Sequence, residues 1–174
     1  MNKISTSFPK HHRILACDPA ERFGWATLDN GILEAGTEHF QRRKGRKTKE
    51  DEHSGIRFSR MEIWFWKLLK EQQPDIVFYE APAGKYQSRD AAAAAYGYRA
   101  LMQACCARLS IPLEGYAATT IKKYATGSGR AQKEDMEHAL KQKFKGLDVV
   151  DDNAADAVHI LTYGMSSHYQ LESF

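Results

Sequence analysis

Residues 13–40 read RILACDPAERFGWATLDNGILEAGTEHF. The run Ile14, Leu15, Ala16, Cys17 is apolar at consecutive positions, the mark of a strand buried on both faces, and it runs straight into Asp18. Pro19 and "ERFG" read as a turn, and "WATLDN" as a second strand. Asn30-Gly31 is a two-residue hairpin signal, and "ILEAGTEHF" after it reads as a third strand. The first 40 residues are therefore predicted to form an antiparallel meander whose first strand ends in an acid.

Upstream, residues 1–12 read as a polar tail, and downstream "QRRKGRKTKEDEHSG" reads as a charged loop. "IRFSRMEIWFWKLLKEQQ" has a helical apolar recurrence, and Pro74 marks its stop. "DIVFYE", bounded by Pro74 and Pro82, is short, apolar and rich in β-branched and aromatic residues, as a central strand is. A long helix of good formers follows in "RDAAAAAYGYRALMQACCARLS", then a fifth strand in "IPLEGYAA". "TTIKKYATG" has Thr119 or Thr120 as its candidate N-cap; "KEDMEHALKQKF" and "AADAVHILTYGMSS" read as the last helices. The order predicts an α/β domain: a five-stranded mixed sheet, antiparallel meander first and parallel strands after, covered by helices. One domain is expected over 13–168, with a tail at 169–174.

A chain of 174 residues suits one domain with a real core, and a net charge of +3 permits a nucleic-acid partner without demanding one. The three cysteines include no C-x-x-C pair, which argues against a zinc site and for a reducing compartment. The N-terminus lacks the apolar segment of a secretory signal, and no apolar run approaches a membrane span. The expectation is a cytoplasmic protein without membrane contact; compact size suits a bacterial or phage enzyme.

The acids gain meaning as a set. Glu80 ends its strand as Asp18 ends the first, and Asp152 and Asp156 share one face of the last helix. If the two strands are central neighbours and that helix packs on their ends, four carboxylates meet. Two carboxylates about 4 Å apart repel by roughly 4 kcal/mol at an effective dielectric near 20, which calls for compensation. Oxygen-only ligands suit Mg²⁺, with Mn²⁺ as substitute, and two such ions per site serve phosphodiester cleavage. Singly, the acids have ordinary explanations. Asp18-Pro19 starts a turn, and Asp151 or Asp152 caps a helix. Glu80 abutting an apolar strand and Asp156 inside a helix are harder to explain that way.

In this order and spacing, "ACDPAERFGWA", "VFYEAP" and "IKKYATGSGRAQKEDM" followed by "DDNAADAVHIL" resemble the RuvC family of Holliday-junction resolvases, of RNase H-like fold, over about residues 13–165. The resemblance implies that Asp18, Glu80 and Asp156 are metal-binding catalytic acids. The family's remaining acid often stands three residues before the last, where this chain has Asn153; Asp152 is the candidate here. Lys122 and Lys133 match two lysines near the scissile strand, with Lys133 placed to stabilise phosphate charge. Gly127 and Gly129 match the turn between them. Tyr86 is the nearest aromatic behind Glu80, where the family intrudes at the junction centre. The implied partners are a four-way DNA junction and a second copy, as a homodimer with two sites.

Arg42, Arg43, Lys44, Arg46 and Lys47 form a basic segment suited to tracking phosphates, partly neutralised by the acids at 50–52. His159, one turn after Asp156, is read as a packing residue; Trp64 and Trp66 are read as core or subunit contact. The functional expectation is a metal-dependent endonuclease that resolves four-way junctions by hydrolysis. The alternatives are another RNase H-like nuclease acting on branched DNA or RNA/DNA hybrids, and a non-catalytic junction-binding protein.

Overall fold

The structure, a computed structural model, describes residues 2–8, 12–40, 53, 55–81, 84, 88–147 and 151–169. Among the described residues six strands, β1 (Asn2–Ser5), β2 (Ile14–Asp18), β3 (Arg22–Asp29), β4 (Ile32–His39), β5 (Ile76–Ala81) and β6 (Leu113–Ala117), form one mixed sheet in the order β1-β4-β3-β2-β5-β6. The helices are α1 (Ile56–Gln72), α2 (Arg89–Arg108), α3 (Ala118–Thr126), α4 (Lys133–Lys143) and α5 (Asp152–His168).

The meander forms as its sequence dictates. Asn30 and Gly31 both take positive φ, 50° and 77°, as a two-residue hairpin requires. β2 is antiparallel to β3 and parallel to β5, so the strands of Asp18 and Glu80 are neighbours at the centre. The sheet is five-stranded in the sequence reading and six-stranded in the structure. The additional strand is β1, inside the stretch read as a tail, paired with β4 from Asn2↔Ala35 to Ser5↔Ile32. A four-residue edge strand is held by backbone bonds and needs little apolar patterning of its own, so its sequence is nearly silent. β3 also starts earlier than expected, at Arg22, because Phe23 is fully buried against Phe40 and Trp64. Gly24 therefore lies in a strand rather than in the turn.

Side chains alternate across the sheet and build two cores. Leu15, Cys17, Phe23, Val77 and Tyr79 pack with Met61 and Phe65 of α1 and with Tyr98 and Met102 of α2. Ile14, Ala16, Ala26, Leu33, Ile76 and Phe78 pack with α5 on the opposite face. α5 lies close against the sheet: a Cβ on Gly164 would stand 2.3 Å from the Phe78 ring. α3 begins directly where β6 ends, with Ala117 as its N-cap and no capping side chain, so neither Thr119 nor Thr120 caps it. All three cysteines are buried free thiols. Among the described residues no helix is long and apolar enough to cross a membrane.

Candidate active site

Strand order reverses at the β2–β5 boundary: from β2 the chain moves outward through β3 to β4, then returns to β5 on the other side. The carboxyl ends of strands at such a switch point are where open α/β sheets bind ligands. Asp18 is the last residue of β2, and Glu80 is next to last in β5. The register Cys17↔Tyr79 brings the two acids to the same level on adjacent strands. Asp18 follows Ala16 and Glu80 follows Phe78 in alternation, so both face the side that α5 covers.

α5 supplies the other acids. Asp151 is its N-cap: the carboxylate accepts from the Ala154 amide at 3.1 Å and from the Thr37 hydroxyl at 2.6 Å. Asp152 opens the helix and forms an ion pair with Lys133, the first residue of α4. Asp156 stands one turn further in. The close seat of α5 depends on Gly24, where an added Cβ would lie 1.9 Å from the Asn153 carbonyl oxygen.

Electrostatics tie these acids together. Burial, then the charges of Glu80 and Asp156, push Asp18 up to about 8. Burial and then Asp156 push Glu80 up to about 7, with Lys122 opposing. Burial and then Asp152 push Asp156 up to about 6, against the pull of Lys122 and Lys133. Asp151 behaves oppositely: burial acts to raise it, but the hydrogen bonds from Thr37, Ala154 and Asn153 outweigh that, and it titrates below the usual carboxylate range. Among the described residues no three acid, imidazole or thiol groups are drawn close enough to enclose a metal ion. The chemistry of the donor set nevertheless fits a hard divalent cation: oxygen ligands only, mutually repelling and partly desolvated.

Lys122 is half-buried and donates from Nζ to the Ala131 carbonyl at 3.1 Å, which holds its charge near Glu80 and Asp156. Gly127 is the left-handed C-cap of α3, with φ of 83°, and its amide donates to the Lys123 carbonyl. Gly129 passes close to Thr119, whose carbonyl oxygen a Cβ would approach to 3.0 Å. His159 is buried and its Nε2 lies 3.0 Å from the Met136 carbonyl oxygen, a packing contact with α4. Trp64 packs against Phe23 and Phe40. Arg42, Arg43, Lys44, Arg46, Lys47 and Tyr86 lie outside the described residues. The sequence reading did not single out Thr37; its only signal is a register that places it across β3 from the end of β2.

A mixed sheet covered by helices, with acids from two central strand ends and a late helix on one face, defines an α/β protein with an acid-lined site at one end of its sheet. No family model matches the chain. It is 26% identical over 147 residues to the crossover junction endodeoxyribonuclease RuvC of Rickettsia prowazekii, covering 83% of this chain and 91% of that one. It is similar in structure to Thermus thermophilus RuvC, with a TM-score of 0.66 at 20% identity, over 91% of this chain and 96% of that one. The same protein in complex with Holliday junction substrate gives 0.65 at 21% identity, over 86% and 90%. The yeast mitochondrial Holliday junction resolvase Ydc2 gives 0.57 at 13% identity, over 88% and 77%. The chain has the fold of RuvC and is similar to RuvC in sequence over most of its length.

Proposed function

We propose that this chain is a metal-dependent endonuclease that resolves four-way DNA junctions by phosphodiester hydrolysis. The observation that carries it is the convergence of Asp18, Glu80 and Asp156 on one face at one end of the sheet, each raised by burial and then by its acidic neighbours. Asp18, Glu80, Asp152 and Asp156 would hold two Mg²⁺ ions, for which Mn²⁺ substitutes. Bound divalent cations supply Lewis-acid activation of water and neutralise charge on the leaving oxygen.

The chain's own residues do the rest. Lys122, fixed to the Ala131 carbonyl, keeps positive charge beside Glu80 and Asp156. Lys133 is exposed, paired with Asp152, and free to exchange that carboxylate for a phosphate oxygen. The Gly127–Gly129 turn presents backbone to the strand being cut, and the basic segment at 42–47 tracks phosphates without reading bases. Tyr86, the nearest aromatic after Glu80 in the sequence, would meet unpaired bases. Two copies as a homodimer would place one site on each of two strands.

An immobile four-way junction incubated with Mg²⁺ tests this directly, with nicks mapped on each strand. Paired nicks are expected with the wild-type chain. Asp18→Asn should abolish cleavage while junction binding persists. Cleavage of RNA/DNA hybrids or flaps in preference to the junction overturns the substrate assignment, and binding without metal-dependent nicking overturns the catalytic one.

A further inference from the structure

Asp18, Gly24 and Thr37 form one row across three strands, Asp18↔Gly24 between β2 and β3 and Gly24↔Thr37 between β3 and β4. Residues directly opposite in antiparallel pairs point to the same face, here the face of α5. The first residues of α5 cross this row in step. Asp151 meets the Thr37 hydroxyl at 2.6 Å, the Asn153 carbonyl lies on Gly24, and Asp156 acts on Glu80 and Asp18. Five residues of helix rise about 7.5 Å. Two strand spacings cover about 9.6 Å. The head of the helix is thus about as long as the distance from the first of these contacts to the last.

We propose that Thr37, through Asp151, is a positioning residue of the active site, with Gly24 as the bearing surface: together they set where Asp156 stands against Asp18 and Glu80. The inference rests on the acids binding divalent cation, as proposed above. An ordinary N-cap needs only an amide of the first turn, and Asp151 has that from Ala154. The Thr37 hydroxyl, 114 residues earlier in the chain, is surplus to capping. It also acts where the sheet gives little other restraint, because β1 covers β4 only from Ile32 to Ala35 and leaves the Thr37 end as an outer corner. A helix fixed at that corner and seated on Gly24 has no freedom to slide along the strand ends. Without the hydroxyl, the head rocks on Gly24 and the Asp156 carboxylate loses its fixed place.

The test uses the full chain and Mn²⁺ as probe, by isothermal titration, beside kcat and KM for junction cleavage. Thr37→Val keeps the shape and removes the hydroxyl. It should weaken Mn²⁺ binding about 10-fold or more, the scale of losing a partner that orients a ligand, and lower kcat with KM unchanged. Thr37→Ser should restore both. Asp151→Ser keeps a capping oxygen but is too short to reach Thr37, and should match Thr37→Val; the double variant should be no worse than either. Asp151→Ser also decides the matter if Thr37→Val does not fold. Wild-type Mn²⁺ affinity in Thr37→Val, or a loss that Thr37→Ser does not recover, overturns the proposal. A wild-type chain that binds Mn²⁺ but cuts no junction overturns the proposed reaction, while the variants' Mn²⁺ affinities still decide the role of Thr37.

Discussion

At the scale of single residues, Asp18 concentrates the physics of the site. Burial, Glu80 and Asp156 all act to keep it protonated. An acid whose folded-state pKa is raised stabilises the fold while it holds its proton. That contribution is complete below the unfolded values of 3.8 and 4.5 and is lost as the pH rises through about 6, 7 and 8 for Asp156, Glu80 and Asp18. The melting temperature of metal-free protein should therefore fall between pH 5 and 9, and Mg²⁺ should raise it most at the alkaline end, which calorimetry with and without chelator reads. Asp18→Asn should flatten the alkaline part of the fall and melt higher than wild type without metal. Asp18 and Glu80 were legible in the sequence because an acid that closes an apolar strand stands out. Asp156 was legible because capping does not explain an acid inside a helix. Thr37 was not, since a threonine in a strand is ordinary and its partner lies 114 residues away.

At the scale of elements, α5 decides the site because it is pressed to the sheet at both ends. Gly24 faces a backbone carbonyl that cannot yield, whereas a Cβ on Gly36 would meet the Trp25 side chain at 2.8 Å, which can turn aside. Gly24→Ala should therefore lower the melting temperature more than Gly36→Ala and should weaken Mn²⁺ binding, which Gly36→Ala should not. Under the other end of α5, Phe78 is fully buried between Gly164 and Tyr116. Phe78→Ala should cost about 3–5 kcal/mol in urea unfolding, the usual cost of emptying a large core site. Most elements could be read from period and punctuation: Asn30-Gly31 gave the hairpin, Pro74 the end of α1, and the apolar run of β5 its central place. β1 could not, because an edge strand takes its order from the partner. Gly24 was misplaced for a related reason: its close contact is with α5, which no local pattern shows.

At the scale of the molecule, a modest net charge of +3 conceals an uneven distribution, with carboxylates gathered at the sheet end and cations in the segment at 42–47 and along α3 and α4. Replacing Arg42, Arg43, Lys44, Arg46 and Lys47 by Gln should reduce the slope of log affinity against log salt by up to about 4.5, whatever the DNA sequence. Filter binding across a salt series measures it. The α/β class and the neighbouring acid-bearing strands were foreseeable, because meander followed by strand–helix alternation leaves few topologies. The row Asp18–Gly24–Thr37 was not, since it arises only when three strands pair in one register. The same architecture has a consequence during synthesis. The carboxylates come from β2, β5 and α5, so the centre closes only when the last described helix docks on a sheet begun far upstream, a contact of long sequence separation that forms slowly. A nascent chain that displays Asp18 and Glu80 but still holds α5 inside the ribosome carries only part of the acid cluster, and the complete centre exists only in molecules whose folding is finished.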